Sequence, residues 1–262
     1  MDDLTNEELQ KWLKFPNQLD PEICKPYSIY RGLFYSENIC NFVMNLCRQL
    51  NAPDEVAFKT IEMFDRFLLL HFTDTSFEEW ITNFDQPSIP MKRKILLFLI
   101  TVLQVVTKLS YRHKILKTAD AERVMLKLGH PFSKSEIVIA ELCILDTLQD
   151  SLLYRTLEEY VEFLAVFFIN KDKDVLFSLK NEVMFYVYGK YTYLNAELKK
   201  HQLLSSSSTD TLILLSSAVL FSCLILNNHG NKIKFLLSGV KSLGFVNEQD
   251  ILKATFILLG SI

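Results

Sequence analysis

Apolar residues recur at helical spacing along almost the entire chain. Ile39, Phe42, Val43, Leu46 and Leu50 fall three or four positions apart behind a start near Ser36, which predicts a helix with one buried face. Pro53-Asp54-Glu55 then opens a strongly apolar helix through about Leu70. Ser76 with Glu79, Ser133 with Glu136 and Thr156 with Glu159 have capping-box spacing, where hydroxyl and carboxylate each satisfy an orphan amide of the first turn. Thr5 with Glu8 does the same for the opening MDDLTNEELQKWL. A short helix starts at Thr118 or Asp120 and stops at Gly129-His130-Pro131, and later helices span about 173–200, 209–227, 231–242 and 248–259. No stretch alternates with a period of two, so the chain is predicted to be all-α with about eleven helices. Each half has about five helices with a very apolar one in the middle, 95–109 and 211–226.

Composition narrows this further. At 262 residues and 49% hydrophobic, the chain can bury a large core. It has only 7 glycines and 7 prolines, which disfavours turn-rich β architectures and long linkers. A net charge of −3, with the basic residues spread out, argues against direct nucleic-acid binding. Lys92-Arg93-Lys94 reads as a solvated helix start. The most apolar run, Leu212–Leu226, is broken by Ser216, Ser217 and Ser222 and reads as a buried helix, so no membrane association is expected. The N-terminus lacks the basic-then-apolar pattern of a secretory signal. Cys24, Cys40, Cys47, Cys143 and Cys223 are odd in number and unpatterned, which fits free thiols in an intracellular protein. Ser205 to Ser208 read as a flexible connector.

Chemistry is sparse. There is no Gly-rich phosphate loop, no GxSxG, no HExxH and no metal-ligand spacing, so neither a catalytic residue nor a cofactor is expected. His71, His113, His130, His201 and His229 are scattered. Glu78-Glu79 and Glu158-Glu159 sit in first helical turns, where carboxylates meet the positive end of the helix dipole. Lys108 is different: it closes the apolar run LITVLQVVTKL. A lysine there either snorkels to water or meets a specific partner, and spacing alone leaves both open.

Thr60-Ile61-Glu62-Met63-Phe64-Asp65-Arg66-Phe67-Leu68 is similar to the second-helix "AVNYIDRFL" pattern of the cyclin box. Val102–Lys108 resembles its third-helix "LLASK" segment, and Glu141–Leu148 its fifth-helix "E…IL..L" segment. Lys108-Leu109-Ser110-Tyr111-Arg112-His113-Lys114-Ile115 resembles the "KLSFRNKI" signature of a meiotic branch of the cyclin-like family. The resemblance implies tandem cyclin-like five-helix boxes after a short N-terminal helix: helix and connector at 1–30, first box at 31–153, and a second, divergent box at 154–262.

It also implies a kinase-facing site. Lys108 and Glu141 would sit together, with Leu109, Leu145, Leu152 and Leu153 as apolar surround. The family's substrate-docking patch falls on Tyr35, Asn38, Ile39 and Phe42 in degenerate form. Ser36 stands where an arginine would pair with the second-helix aspartate, leaving Asp65 to find another donor. Ser110 and Tyr111 replace the acidic residues that usually follow the lysine, and Asp150 replaces an aromatic. Arg31-Gly32-Leu33-Phe34 resembles a peptide that docks into such grooves on other cyclins, a likeness taken as coincidental. The implied partners are a cyclin-dependent kinase and MutS-homologue crossover factors, on meiotic chromosomes in the nucleus. The implied role is non-catalytic regulation of crossover designation and maturation, with a kinase-independent scaffold as the alternative.

Overall fold

The computed structural model describes residues 31–72, 89–110, 116–153, 155–169, 173–204, 208–228, 230–242, 244 and 246–261. The caps expected at Thr5 and Ser76, the acid pair Glu78-Glu79, Cys24, His113, His229 and Ser205 to Ser207 lie outside them.

Among the described residues there are eleven α-helices and no strand. They are α1 (Glu37–Gln49), α2 (Asp54–His71), α3 (Ile89–Ser110), α4 (Thr118–Lys127), α5 (Lys134–Leu148), α6 (Leu157–Ile169), α7 (Lys173–Gly189), α8 (Tyr191–Lys200), α9 (Ser208–Leu226), α10 (Gly230–Ser242) and α11 (Glu248–Leu259). A 3-10 turn, Gln149–Leu153, follows α5. The single helix expected over 173–200 is two. α7 stops at Gly189, a residue that weakens any helix interior, and the chain restarts after Lys190.

The described chain divides into two compact units, one holding 31–34 and 39–152 and the other 35–38 and 153–262. The first turn of α1 therefore groups with the later helices. Tyr35 explains this: its ring lies 5.4 Å from that of Tyr188 and 4.9 Å from that of Tyr191. Glu37 adds an ion pair to Lys190 at 2.7 Å.

In the first unit α3 is the hub, packed against α2, α4 and α5. Every position from Phe98 to Thr107 is buried, which is why its sequence reads as nearly continuous apolar. α2 is buried on all sides, including Glu62, Asp65 and Arg66. Buried charge needs partners. Asp65 accepts backbone N–H bonds from Gly32 and Phe34, both at 2.8 Å, so the donor it finds is the 31–34 turn. Arg31 pairs with Glu62, and Arg66 donates to the Ser151 carbonyl at 2.6 Å.

In the second unit α9 is the hub, against α6, α7, α10 and α11. Ser216, Ser217 and Ser222 sit in its buried stretch with their hydroxyls paired, each donating to a carbonyl of its own helix, at Ile213 or Ala218. Among the described residues no helix is long and apolar enough to cross a membrane. Cys40, Cys47, Cys143 and Cys223 are free thiols.

Candidate functional site

The site lies in the first unit, where α3 emerges from its core. Burial ends at Thr107, and Lys108, Leu109 and Ser110 are exposed. α5 starts at a formed capping box: the Ser133 N–H donates to Glu136 at 2.8 Å, and the Glu136 N–H donates back to the Ser133 hydroxyl at 3.3 Å. Two turns further on, α5 presents Glu141 to α3.

Lys108 and Glu141 meet there. The ammonium lies 2.5 Å from Oε1 and 2.7 Å from Oε2 of the carboxylate. The lysine side chain is 45% exposed and the glutamate 16%, so the pair is rooted in the protein and capped by solvent. The carboxylate takes a third bond from inside: Gln104 Nε2, one turn before Lys108 on α3, donates to Oε2 at 3.0 Å. The same amide reaches Thr118 Oγ1 at 3.2 Å, at the first residue of α4. An ammonium has three donors, and two oxygens of one acid leave capacity for an external acceptor such as a backbone carbonyl.

The surround is apolar and open. Leu109 is 55% exposed. Leu145 and Leu152 are half-buried, and the side chains of Leu153 and Asp150 lie outside the described residues. α5 also carries Val138, Ile139 and Leu142 in exposed positions, with Leu142 at 61%. The expected surround omits these three, although V-x-x-x-L-x-x-L at 138, 142 and 145 is a readable helical stripe on the Glu141 side. Gln104 was legible too, as the lone amide in the α3 core.

The residues of the degenerate docking patch differ in burial. Tyr35 is buried at 3% against Tyr188 and Tyr191, which removes it from any docking role. Asn38 is exposed, and Ile39 and Phe42 are half-buried. Arg31-Gly32-Leu33-Phe34 is engaged within its own unit through Glu62 and Asp65.

The basic run at the α3 start is exposed but not idle. Arg93 donates to the Pro131 carbonyl at 3.1 Å and lies 4.6 Å from the Phe132 ring centroid. Lys94 lies over Phe72 and Phe98. His71, at the end of α2, stacks on Phe67 and brings Nδ1 to 3.8 Å from the Cys143 sulfur. Burial, then the charge of Lys94, lowers its pKa, which favours the neutral ring. Within neither unit do three metal-ligating side chains converge among the described residues.

The acid pair Glu158-Glu159 divides its roles. Glu159 forms the expected capping box with Thr156, whereas Glu158 is buried against Lys180 of α7, whose ammonium also reaches Glu162.

Among the described residues the chain is all-helical, and its buried third helix brings an exposed lysine to a glutamate of the fifth. In sequence it is similar to cyclin N-terminal domain-containing protein 1 of Mus musculus, with 26% identity over 174 residues that cover 62% of this chain and 51% of that protein. The chain thus spans about half the length of the curated relative it matches, and the likeness supports a distant cyclin-like relationship. No protein-family model matches the chain, and no solved structure matches it.

Proposed function

We propose that the chain is a non-catalytic, cyclin-like regulator whose first unit, as the first of two tandem cyclin boxes, docks a cyclin-dependent kinase on the Lys108–Glu141 face. The observation that carries this reading is the pair itself: an outward ammonium held by a carboxylate from another helix, with exposed Leu109 and Leu142 next to them in sequence. A free lysine would lose rotamer entropy on binding, and the ion pair removes part of that cost beforehand. Docked there, the box would press on the kinase helix that carries the catalytic glutamate and favour the lysine–glutamate pair needed for phosphoryl transfer. Converting a kinase from 1% to 99% competent takes about 5.5 kcal/mol of differential affinity. An interface of ~1,600 Å² supplies that only with packed anchors, the role assigned to Leu109, Leu142 and Leu145.

The resemblance to a meiotic branch of the cyclin-like family supports a role in crossover designation and maturation, on meiotic chromosomes in the nucleus. The test is co-purification with a cyclin-dependent kinase. Lys108→Ala and Glu141→Ala should each abolish recovery while helicity is retained, and undiminished recovery by both folded variants would remove the kinase claim.

A second reading is a kinase-independent scaffold for recombination factors of the MutS-homologue class. It is favoured by Ser110, which follows Lys108 where an acid is usual, and by Tyr35, whose burial takes it out of the docking patch. Purified protein that binds such factors without raising the histone-kinase activity of a cyclin-free kinase would select it.

A further inference from the structure

Between Phe98 and Thr107 the hub helix α3 is fully buried, and Gln104 in its middle has no solvent exposure. Both amide protons are spent: Nε2 donates to Glu141 Oε2 on α5 at 3.0 Å and to Thr118 Oγ1 on α4 at 3.2 Å. Its own carbonyl oxygen is buried and has no hydrogen-bond partner among the described residues. An unpaired buried carbonyl carries a desolvation cost that a leucine or methionine in the same space would avoid. Packing alone does not call for an amide here. What the amide does is grip the Glu141 carboxylate from the core side while Lys108, four residues later on the same helix, grips it from the solvent side.

We propose that Gln104 is a positioning residue of the Lys108–Glu141 site, fixing the carboxylate, and through it the ammonium, before any partner arrives. A carboxylate bonded only to an exposed lysine is free to swing with it. Bonded also to a buried amide that is itself tied to the start of α4, it has one orientation. The lysine then presents its remaining donor in one direction. The kinase part of the test below rests on the docking function proposed above; the positioning itself does not.

The experiment uses the full chain with Gln104→Met, which keeps the length of the side chain and removes both donors. The first readout is the nitrogen-15 signal of the Lys108 side-chain ammonium, whose hydrogen exchange reports how firmly it is held. Protection seen in the wild type should be lost in the variant, with recovery of a cyclin-free cyclin-dependent kinase about tenfold weaker. A structural role alone would lower thermal stability and leave the ammonium protected, and that result overturns the proposal. If Gln104→Met does not fold, Thr118→Val frees the amide from α4 and should give the same loss to a smaller degree; unchanged protection there also overturns it. If Lys108→Ala and Glu141→Ala leave kinase recovery intact, the docking function falls, and the Lys108 signal still decides the role of Gln104.

Discussion

Lys180 and Glu158, both of the second unit, meet 2.9 Å apart with 3% and 2% of their side chains open to solvent, a buried ion pair. Glu162 completes the arrangement at 2.7 Å from the same ammonium, with its side chain 39% exposed. Removing one partner of a buried pair strands the other, which costs about 3–5 kcal/mol, whereas replacing both with apolar groups of similar size is often near neutral. At pH 8, where Glu158 is ionised, Lys180→Met should therefore destabilise the protein by ~3–5 kcal/mol in urea unfolding. Lys180→Met combined with Glu158→Leu should recover part of the loss, and a double variant as unstable as the sum of its singles would contradict this account.

The same cluster sets a pH dependence. Burial pushes the Glu158 carboxyl up from 4.5 to about 7; Lys180 opposes the shift and Glu162 adds to it. Between those values the folded chain holds a proton that the unfolded chain has released. Stability from this group is therefore complete below about 4.5 and is lost as pH rises through about 7. Urea midpoints taken from pH 5 to pH 8 should fall with pH more steeply in the wild type than in Glu158→Gln, which cannot titrate. Parallel slopes would show that Glu158 stays ionised. Asp65, raised by its own burial to about 7, contributes in the same sense and persists in both proteins.

Asp65 also has a structural task that can be tested separately. Each of its oxygens accepts one backbone N–H, from Gly32 and from Phe34, at 2.8 Å. Asp65→Asn keeps the shape but turns one acceptor into a donor, so one of the two amides is left facing an N–H group. The expected cost is ~1–3 kcal/mol. Hydrogen exchange at Gly32 or Phe34 should accelerate, and a variant with unchanged exchange at both would show that the turn does not depend on Asp65.

How much of this was legible depends on what each side chain announces in one dimension. Helices α1, α2, α4 and α9 to α11 fall within a residue or two of their sequence-predicted spans, and α5 starts at its expected cap, because buried apolar stripes and caps are local signals. The break at Gly189 was missed because the apolar spacing runs on through it. Lys108 beside Glu141 could not be read from spacing; it came from a family resemblance, and the two side chains do meet. The Lys180–Glu158 pair left no sequence signal, since an acid in a first turn is already accounted for by the helix dipole. Gln104 was visible only as one polar letter in an apolar run, and its meaning lies in two other helices.

The Lys108–Glu141 pair itself should matter little for stability. With the lysine side chain 45% exposed, solvent screens the attraction, and such pairs contribute about 0–1 kcal/mol. Lys108→Ala should thus shift the urea midpoint by less than half as much as Lys180→Met. A larger loss would mean that the pair is chiefly structural, and its value as a docking site would have to be judged anew.

The cysteines should separate by reactivity. Cys40, Cys47 and Cys223 are at most 1% exposed, and burial pushes the Cys47 and Cys223 thiols up to about 12. The thiolate is the reactive form, so these groups should resist alkylation until the fold opens. Cys143 is half-buried, so its sulfur is the most accessible of the four. With iodoacetamide at pH 7.5, peptide mapping should find Cys143 labelled first among these four. Labelling of Cys223 as fast as Cys143 in the folded protein would contradict the protection that its burial implies.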